Sequence, residues 1–331
     1  MPRKDVWEAI RKCLRPSREN EEIPARIPCN GTSVPITIEN HEEFMAVQQR
    51  DELGAHMSSS GGAERAPERA ADIGASVLQM FSKMPNRWAD PAVSEEKADA
   101  FQAAREKFSI DVVAVHDSYL INMASPDRTL WERSVTSFAA ELARCNAYGV
   151  DSLVTHPGNA TDRKFDRGIE ANAIGITAAL KDQPGETKVL LEITAGSGTS
   201  IGATFENLRK IIDAVDEDER DRVGICFDTC HAWAGGYDLA ENWDGVWDEF
   251  DETIGLDRLH LFHVNDSINP FDSRKDRHAG IGEGTMGLEP FRHLMNDARM
   301  KDIPKVLETP KGKQNEDADE RNLKILRDLR E

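Results

Sequence analysis

The chain holds 331 residues, 39% of them hydrophobic, and carries a formal net charge of −19. That length suits one large domain, alone or with an appendage, and the apolar fraction is enough to fill its core. No apolar run approaches the roughly 20 residues of a membrane span, the opening MPRKDVWEAIRKCLRP lacks the apolar stretch of a signal peptide, and the surplus of acid counts against a DNA partner without excluding one.

Residues 1–50 read as an N-terminal extension, in which acids and bases roughly cancel and Pro16, Pro24, Pro28 and Pro35 punctuate the chain. Val6, Ile10 and Leu14 fit one short amphipathic helix, and residues 34–38 an edge strand or extended strap. From 51 to 331 the pattern changes to β-type runs alternating with amphipathic stretches. Strands are predicted at 53–56, 76–81, 112–115, 153–154, 189–191, 223–227, 258–263 and 306–307. Between them, the stretch 204–215 puts Phe205, Leu208, Ile212 and Val215 on one helical face behind Thr204 as N-cap. Eight strands alternating with helices predict a parallel sheet closed as a (β/α)8 TIM barrel, with a doubly wound open sheet as the alternative.

The residues that end these runs carry the chemistry. His116, His156, Glu192, Asp228 with His231, His263 and Glu308 stand where successive runs stop, and Asp276 with His278 follows the His263 run in a charged loop. A closed barrel opens all its strand C-termini on one face, which is where this architecture builds an active site. Asp228 and His231 are three apart just past a buried strand, where a tightening turn aims both inward. Asp276 and His278 are two apart, so an extended segment sends both side chains to one side. Five imidazoles and four carboxylates form the donor set of Zn2+ or Mn2+, too rich in nitrogen for a Ca2+ or Mg2+ cage.

A lone histidine or aspartate at a strand end is ordinarily a hydrogen-bonded structural residue, but nine ionisable groups buried together without counter-charge would cost heavily. Nine donors also exceed what one tetrahedral ion needs, which implies a cluster of two or three ions. Cations there would neutralise the four acids, so the local field can differ in sign from the acidic whole. The five cysteines are odd in number and form no C-x-x-C pair, which fits reduced thiols, with Cys226 and Cys230 in barrel packing. His56 ends the first run and is placed to hydrogen-bond a ligand or water.

Metal ions about 3.5–4 Å apart stabilise both the attacking and the leaving oxygen of an in-line displacement at phosphorus. Phosphodiester hydrolysis is therefore the leading reaction class, with Glu192, in the middle of the strand order, as the carboxylate bridging two ions. A metal-dependent sugar isomerase or epimerase on the same barrel is the competing class and needs fewer imidazoles. A binding-only protein is the third, and it would tolerate replacement of Glu192.

Several motifs carry a family resemblance. Gly54-Ala55-His56-Met57-Ser58, His116-Asp117-Ser118-Tyr119-Leu120-Ile121-Asn122, His156-Pro157-Gly158, Glu192-Ile193-Thr194-Ala195-Gly196, Asp228-Thr229-Cys230-His231-Ala232, Asn265-Asp266, Asp276-Arg277-His278 and Leu307-Glu308-Thr309 run in order through the chain. Together they resemble the motif series of the endonuclease IV family of apurinic/apyrimidinic (AP) DNA endonucleases, in the xylose isomerase-like TIM-barrel superfamily. The resemblance implies a zinc-dependent hydrolase of base excision repair, a phosphodiesterase that cuts duplex DNA 5′ to an abasic site and leaves a 3′-hydroxyl and a 5′-deoxyribose phosphate. It implies three Zn2+ per chain, with Mn2+ as a possible substitute. One ion would be held by His116, His156 and Glu192, a second by Glu192, Asp228, His263 and Glu308, and a third by His231, Asp276 and His278. Glu192 would bridge the first two, positioning the nucleophilic hydroxide, and the third ion would bind the scissile phosphate.

By the same resemblance Tyr119 and Leu120 would insert into the duplex at the lesion, and the abasic nucleotide would be flipped out, which costs less where a base is missing. Lys83, Arg87, Arg274, Lys275 and Arg277 are candidates for phosphate contacts. The loop 82–88 departs from the family pattern, with Pro85 and Asn86 where relatives carry a polar residue and an inserted arginine. A monomer in the cytoplasm, working at the nucleoid in the bacterial or archaeal manner, completes the expectation.

Overall fold

In the computed structural model the barrel strands are, in chain order, β1 (Leu53–His56), β2 (Val77–Phe81), β3 (Val112–His116), β4 (Ser152–Thr155), β5 (Lys188–Glu192), β6 (Val223–Asp228), β7 (Leu259–His263) and β10 (Lys305–Leu307). Between the last two lies a short antiparallel ribbon of β8 (Asp266–Ser267) and β9 (His278–Ala279). The eight barrel strands pair in parallel, and β1 bonds both β2 and β10, so the sheet is closed and the open-sheet alternative is excluded. The structure describes residues 51–89, 91–311 and 315–331, and the barrel unit runs over Glu52–Glu331. The expected helix at Val6, Ile10 and Leu14 and the strap at 34–38 lie outside the described residues.

Helices α1 (Arg65–Asp72), α2 (Glu95–Lys107), α3 (Arg128–Tyr148), α4 (Phe165–Asp182), α5 (Phe205–Ala214), α6 (Thr229–Ala234), α7 (Trp243–Thr253), α8 (Glu289–Asn296) and α9 (Asn315–Asp328) connect the strands. Several begin where a short polar side chain satisfies a free backbone N–H of the first turn. Ser94, Asp127 and Thr204 accept from the N–H groups of Lys97, Leu130 and Asn207. Helix α3 stops at Gly149, which takes the left-handed φ of 62° that favours glycine. Helix α5 ends one residue short of the predicted face: Val215 is extended, yet it stays buried beside Leu208 and Ile212.

The barrel interior is closed by an apolar plug of Val77, Ala114, Val154, Leu190, Cys226, Leu261 and Val306, one residue from each strand except β1. In β1 the matching position is Gly54, in register with Val77 on one side and Val306 on the other. A Cβ there would lie 1.7 Å from the Val77 carbonyl oxygen, so only glycine lets β1 approach β2. Outside the wall, Phe227 of β6 and Phe262 of β7 pack on Trp247 of α7 with ring centroids 4.7 and 5.6 Å apart. Among the described cysteines, Cys145, Cys226 and Cys230 are free and buried.

Candidate metal centre

Side chains on a strand return to the same face every second residue, and the barrel uses that period to set polar chemistry on top of its plug. Two residues beyond the plug stand Gln79 in β2, His116 in β3, His156 after β4, Glu192 in β5, Asp228 in β6, His263 in β7 and Glu308 after β10. His56 holds the same place two beyond Gly54. Every strand thus delivers one polar side chain at the C-terminal mouth, at or just past its last residue.

The remaining groups come from turns. Asp228 caps α6, accepting the His231 N–H at 2.7 Å, and this first turn carries the His231 ring inward beside Glu192. The charged loop after β7 is closed at its ends by a short antiparallel pairing that the sequence does not show. It folds into the β8–β9 ribbon, which brings Asp276 and His278 back over the mouth. There the Asp276 carboxylate lies 3.2 Å from His231 Nε2 and 3.3 Å from His278 Nε2.

All nine sequence-predicted donors converge. Glu192, fully buried, lies at the centre: one oxygen is 3.1 Å from His116 Nε2 and 3.0 Å from His156 Nε2, the other 3.0 Å from His263 Nδ1 and 3.1 Å from His231 Nδ1. Donor atoms within 4.8 Å of one another sort into a group of His116, His156 and Glu192, a group of Glu192, Asp228, His263 and Glu308, and a group of His231, Asp276 and His278. A further set joins the Cys230 thiol to Asp228 and His278. Burial and the Asp228 charge push that thiol up to about 12, and it donates to the Arg277 carbonyl, so it stays protonated.

The ring nitrogens are sorted by backbone carbonyls, which can only accept. Nδ1–H of His116 donates to the Asp117 carbonyl at 3.0 Å, that of His231 to the Ile193 carbonyl at 3.0 Å, and that of His278 to the Glu308 carbonyl at 3.2 Å. In each ring Nε2 is left facing the cluster. For His231 and His278 that Nε2 is buried and faces the Asp276 carboxylate, at 3.2 and 3.3 Å, without the geometry of a hydrogen bond. Buried polar atoms are seldom orphaned, and orphaned imidazole nitrogens aimed at a shared carboxylate fit a divalent cation of the zinc type. The residues present therefore fit such ions.

Without a cation the cluster stores opposed charges. Burial disfavours charge on His116, but its hydrogen bond to Glu192 and the fields of Glu192, Glu308 and Asp117 lift it to about 10. His231 is raised well above the usual range against the same burial by Asp228, Asp276 and Glu192. Burial alone would raise Glu192 and Glu308, yet the surrounding histidines hold both well below the normal carboxylate range. His56 differs, since desolvation dominates and keeps it neutral.

Of four supporting residues, Thr155 and Gln79 were not singled out from the sequence, and Asp117 and Asn265 entered only as members of motifs. Thr155 donates to Asp117 at 2.5 Å, and burial raises that aspartate to about 8. Asn265 donates to Asp228 at 2.7 Å and accepts the Glu308 N–H at 2.9 Å, tying two strand ends together. Gln79 touches both His263 and Glu308. The usable signal was the period itself, because Gln79 stands two beyond Val77 as six of the nine donors stand two beyond their own plug residues.

Over the cluster opens a cleft of about 540 Å3, and of the other expected residues Tyr119 and Arg277 line it. Tyr119 is 72% exposed and packs edge-on against Phe81, and Leu120 is half-buried. Arg87, Arg274, Lys275 and Arg277 are exposed, Arg274 with Asp272 at 2.7 Å. Lys83 is a correction: expected at phosphate, it turns inward, is buried, and pairs with the buried Glu141 at 3.0 Å. Its neighbour Pro85 offers its carbonyl to the Ser118 hydroxyl at 2.6 Å, so the loop after β2 is tied to the one that carries Tyr119.

Residues 67–329 match the family model described as xylose isomerase-like TIM barrel. The "Probable endonuclease 4" of Geotalea daltonii is 42% identical over 283 residues, covering 85% of this chain and 98% of that protein. Its counterpart in Geobacter sulfurreducens is 44% identical over 84% of this chain and 94% of its own length. Among solved structures, endonuclease IV from Thermus thermophilus superposes with a TM-score of 0.73 at 36% identity, covering 84% of this chain and 98% of that one. A D-tagatose 3-epimerase-like protein shares the fold, with a TM-score of 0.62 at 17% identity.

Proposed function

The chain belongs to the xylose isomerase-like TIM-barrel family and, within it, to the endonuclease IV proteins, and from that premise we propose that it is an AP endonuclease of DNA repair working through three divalent ions. His116, His156 and Glu192 hold the first, Glu192, Asp228, His263 and Glu308 the second, and His231, Asp276 and His278 the third. The observation that carries this reading is the sorting of nine converging donors into three groups, two of which share Glu192. Zinc is the ion that five imidazoles and four carboxylates suit.

Ions in such a cluster supply Lewis acidity toward phosphoryl oxygens and make water nucleophilic at neutral pH. The protein's own part is orientation. The carbonyls of Asp117, Ile193 and Glu308 aim three imidazoles, Asn265 locks Asp228 against the Glu308 backbone, and the central Glu192 fixes the spacing of the first two groups. Tyr119 and Leu120 enter the duplex at the lesion, where an abasic site leaves a gap for them. Arg87, Arg274, Lys275 and Arg277 meet phosphates and set the register. Lys83 is withdrawn from that role because its ammonium is buried against Glu141.

A duplex carrying a tetrahydrofuran abasic analogue tests the proposal. The zinc-loaded full chain is expected to nick it 5′ to the analogue, leaving a 3′-end that a polymerase extends. Metal analysis should return three ions, and Glu192→Gln should lose activity by about a thousandfold or more, since bridging and charge go together. A fully loaded protein that leaves the duplex intact but turns over a keto or aldo sugar would sink the proposal. Wild-type function in Glu192→Gln would instead favour a binding role.

A further inference from the structure

Gln79 lies in the polar ring above the plug, fully buried, yet it belongs to none of the ligand groups. Its amide Nε2 is 2.6 Å from Glu308 Oε1, and its Oε1 is 2.7 Å from His263 Nε2. Chemistry fixes this orientation. The amide nitrogen donates to Glu308 Oε1, the oxygen that only accepts when Glu308 serves as a ligand. The amide oxygen then faces His263 and must accept from it. His263 Nε2 therefore carries the hydrogen, which leaves Nδ1 as the donor atom, 3.0 Å from Glu192 and 3.3 Å from Glu308 Oε2. The second amide hydrogen points at His56 Nδ1, 3.1 Å away.

His263 is thereby the mirror case of its neighbours. In His116, His231 and His278 a backbone carbonyl takes Nδ1–H and Nε2 faces the cluster. In His263 a side chain takes Nε2–H and Nδ1 faces it. Among the described residues no backbone carbonyl performs that service for His263, so the tautomer depends on one side chain of β2, three strands around the closed sheet from β7.

We propose that Gln79 is a positioning residue for the second ion: it selects the His263 tautomer and parks one oxygen of Glu308, leaving the other to bind. This rests on the ligand assignment proposed above. Loss of a partner that orients a metal ligand typically lowers metal affinity about 10- to 100-fold. The effect should be confined to the ion held by Glu192, Asp228, His263 and Glu308, because the other two groups do not touch Gln79.

The test uses the full zinc-loaded chain as wild type, Gln79→Leu and Gln79→Glu. Leucine removes donor and acceptor at similar volume. Glutamate keeps the shape but sets an oxygen against Glu308. Both variants are expected to retain two ions of three after dialysis against a chelator that leaves the wild type loaded, with the missing ion bound about 10- to 100-fold more weakly. Nitrogen-15 NMR of the histidines should show His263 with a protonated Nε2 and a metal-bound Nδ1 in the wild type, and the loss of the metal-bound Nδ1 signal in Gln79→Leu. For abasic duplex, kcat should fall while KM holds, since Gln79 is out of reach of DNA. Wild-type metal retention and an unchanged His263 spectrum in both variants, with melting curves confirming that they fold, would overturn the inference. A wild type that binds no zinc would instead overturn the ligand assignment, and this with it.

Discussion

At the scale of single residues the mouth of the barrel is a problem of protons. His116, His231 and His263 are each raised in the metal-free protein: burial opposes their charge, but the carboxylates of Glu192, Asp228, Glu308 and Asp276 outweigh it. An imidazole must be bare at the donor nitrogen to hold a metal, so loading has to expel what the carboxylates retain. Near neutral pH, zinc binding by the metal-free chain should release at least the one proton that His116 holds up to about pH 10. Calorimetric titrations in buffers of differing ionisation enthalpy will read that number from their slope, and a slope of zero would show that the rings are neutral before the metal arrives. The sign for stability follows from the same shift. A raised histidine stabilises the fold fully below its unfolded value of about 6.5 and loses that contribution as pH climbs through the folded value, about 10 for His116. The chelated protein should therefore melt at falling temperature across that interval.

At the scale of elements, helix α3 holds the rim together through one buried carboxylate. Glu141 receives the Lys83 ammonium at 3.0 Å, the Ser82 hydroxyl at 3.1 Å and the Ser118 N–H at 3.0 Å, which joins the loops after β2 and β3. Removing one partner of a buried pair leaves the other charge uncompensated, so Lys83→Met should cost about 3–5 kcal/mol in urea denaturation. Adding Glu141→Leu should recover part of that loss, because the stranded charge is gone; a double variant no better than the single would mean the pair is not what the helix contributes. The same residues show what the sequence could and could not reveal. Six of the donors were legible because each ends an apolar run, where the two-residue period of a strand ties it to the plug beneath, and His231, Asp276 and His278 by their spacing from a partner ligand. Lys83 was not, because its partner lies on a helix far along the chain and a lysine beside arginines reads as surface charge. Gln79 stayed hidden for another reason. An uncharged residue in the middle of a strand announces nothing until His263 and Glu308 are seen against it. The β8–β9 ribbon was missed as well, since two-residue strands are too short to show alternation.

At the scale of the whole molecule the chain sets 60 acidic residues against 41 basic ones and yet belongs to a family of DNA endonucleases. Long-range steering therefore cannot bring it to a polyanion, and attraction has to come from the mouth, where bound cations would cancel the carboxylates and where Arg277 lines the cleft, and from the exposed Arg87, Arg274 and Lys275. That confines the electrostatic contribution to few phosphates. With about four contacts, the logarithm of the binding constant for an abasic duplex should fall against the logarithm of salt with a slope of about −3 to −4. Arg277 lines the cleft and donates only to the neighbouring Asp276 carbonyl among its hydrogen bonds, so Arg277→Ala should reduce the slope by about one and weaken binding to all sequences alike. Undamaged duplex should bind feebly at any moderate salt, because the net charge of −19 repels it and, on the proposed reading, Tyr119 and Leu120 have no gap to fill. Fluorescence anisotropy of labelled duplexes across a salt series separates these terms. A slope unchanged by Arg277→Ala would remove that residue from the phosphate contacts. A slope much steeper than four contacts allow would mean that cations beyond the mouth take part, which would make the acidity of this chain a property of its far side alone.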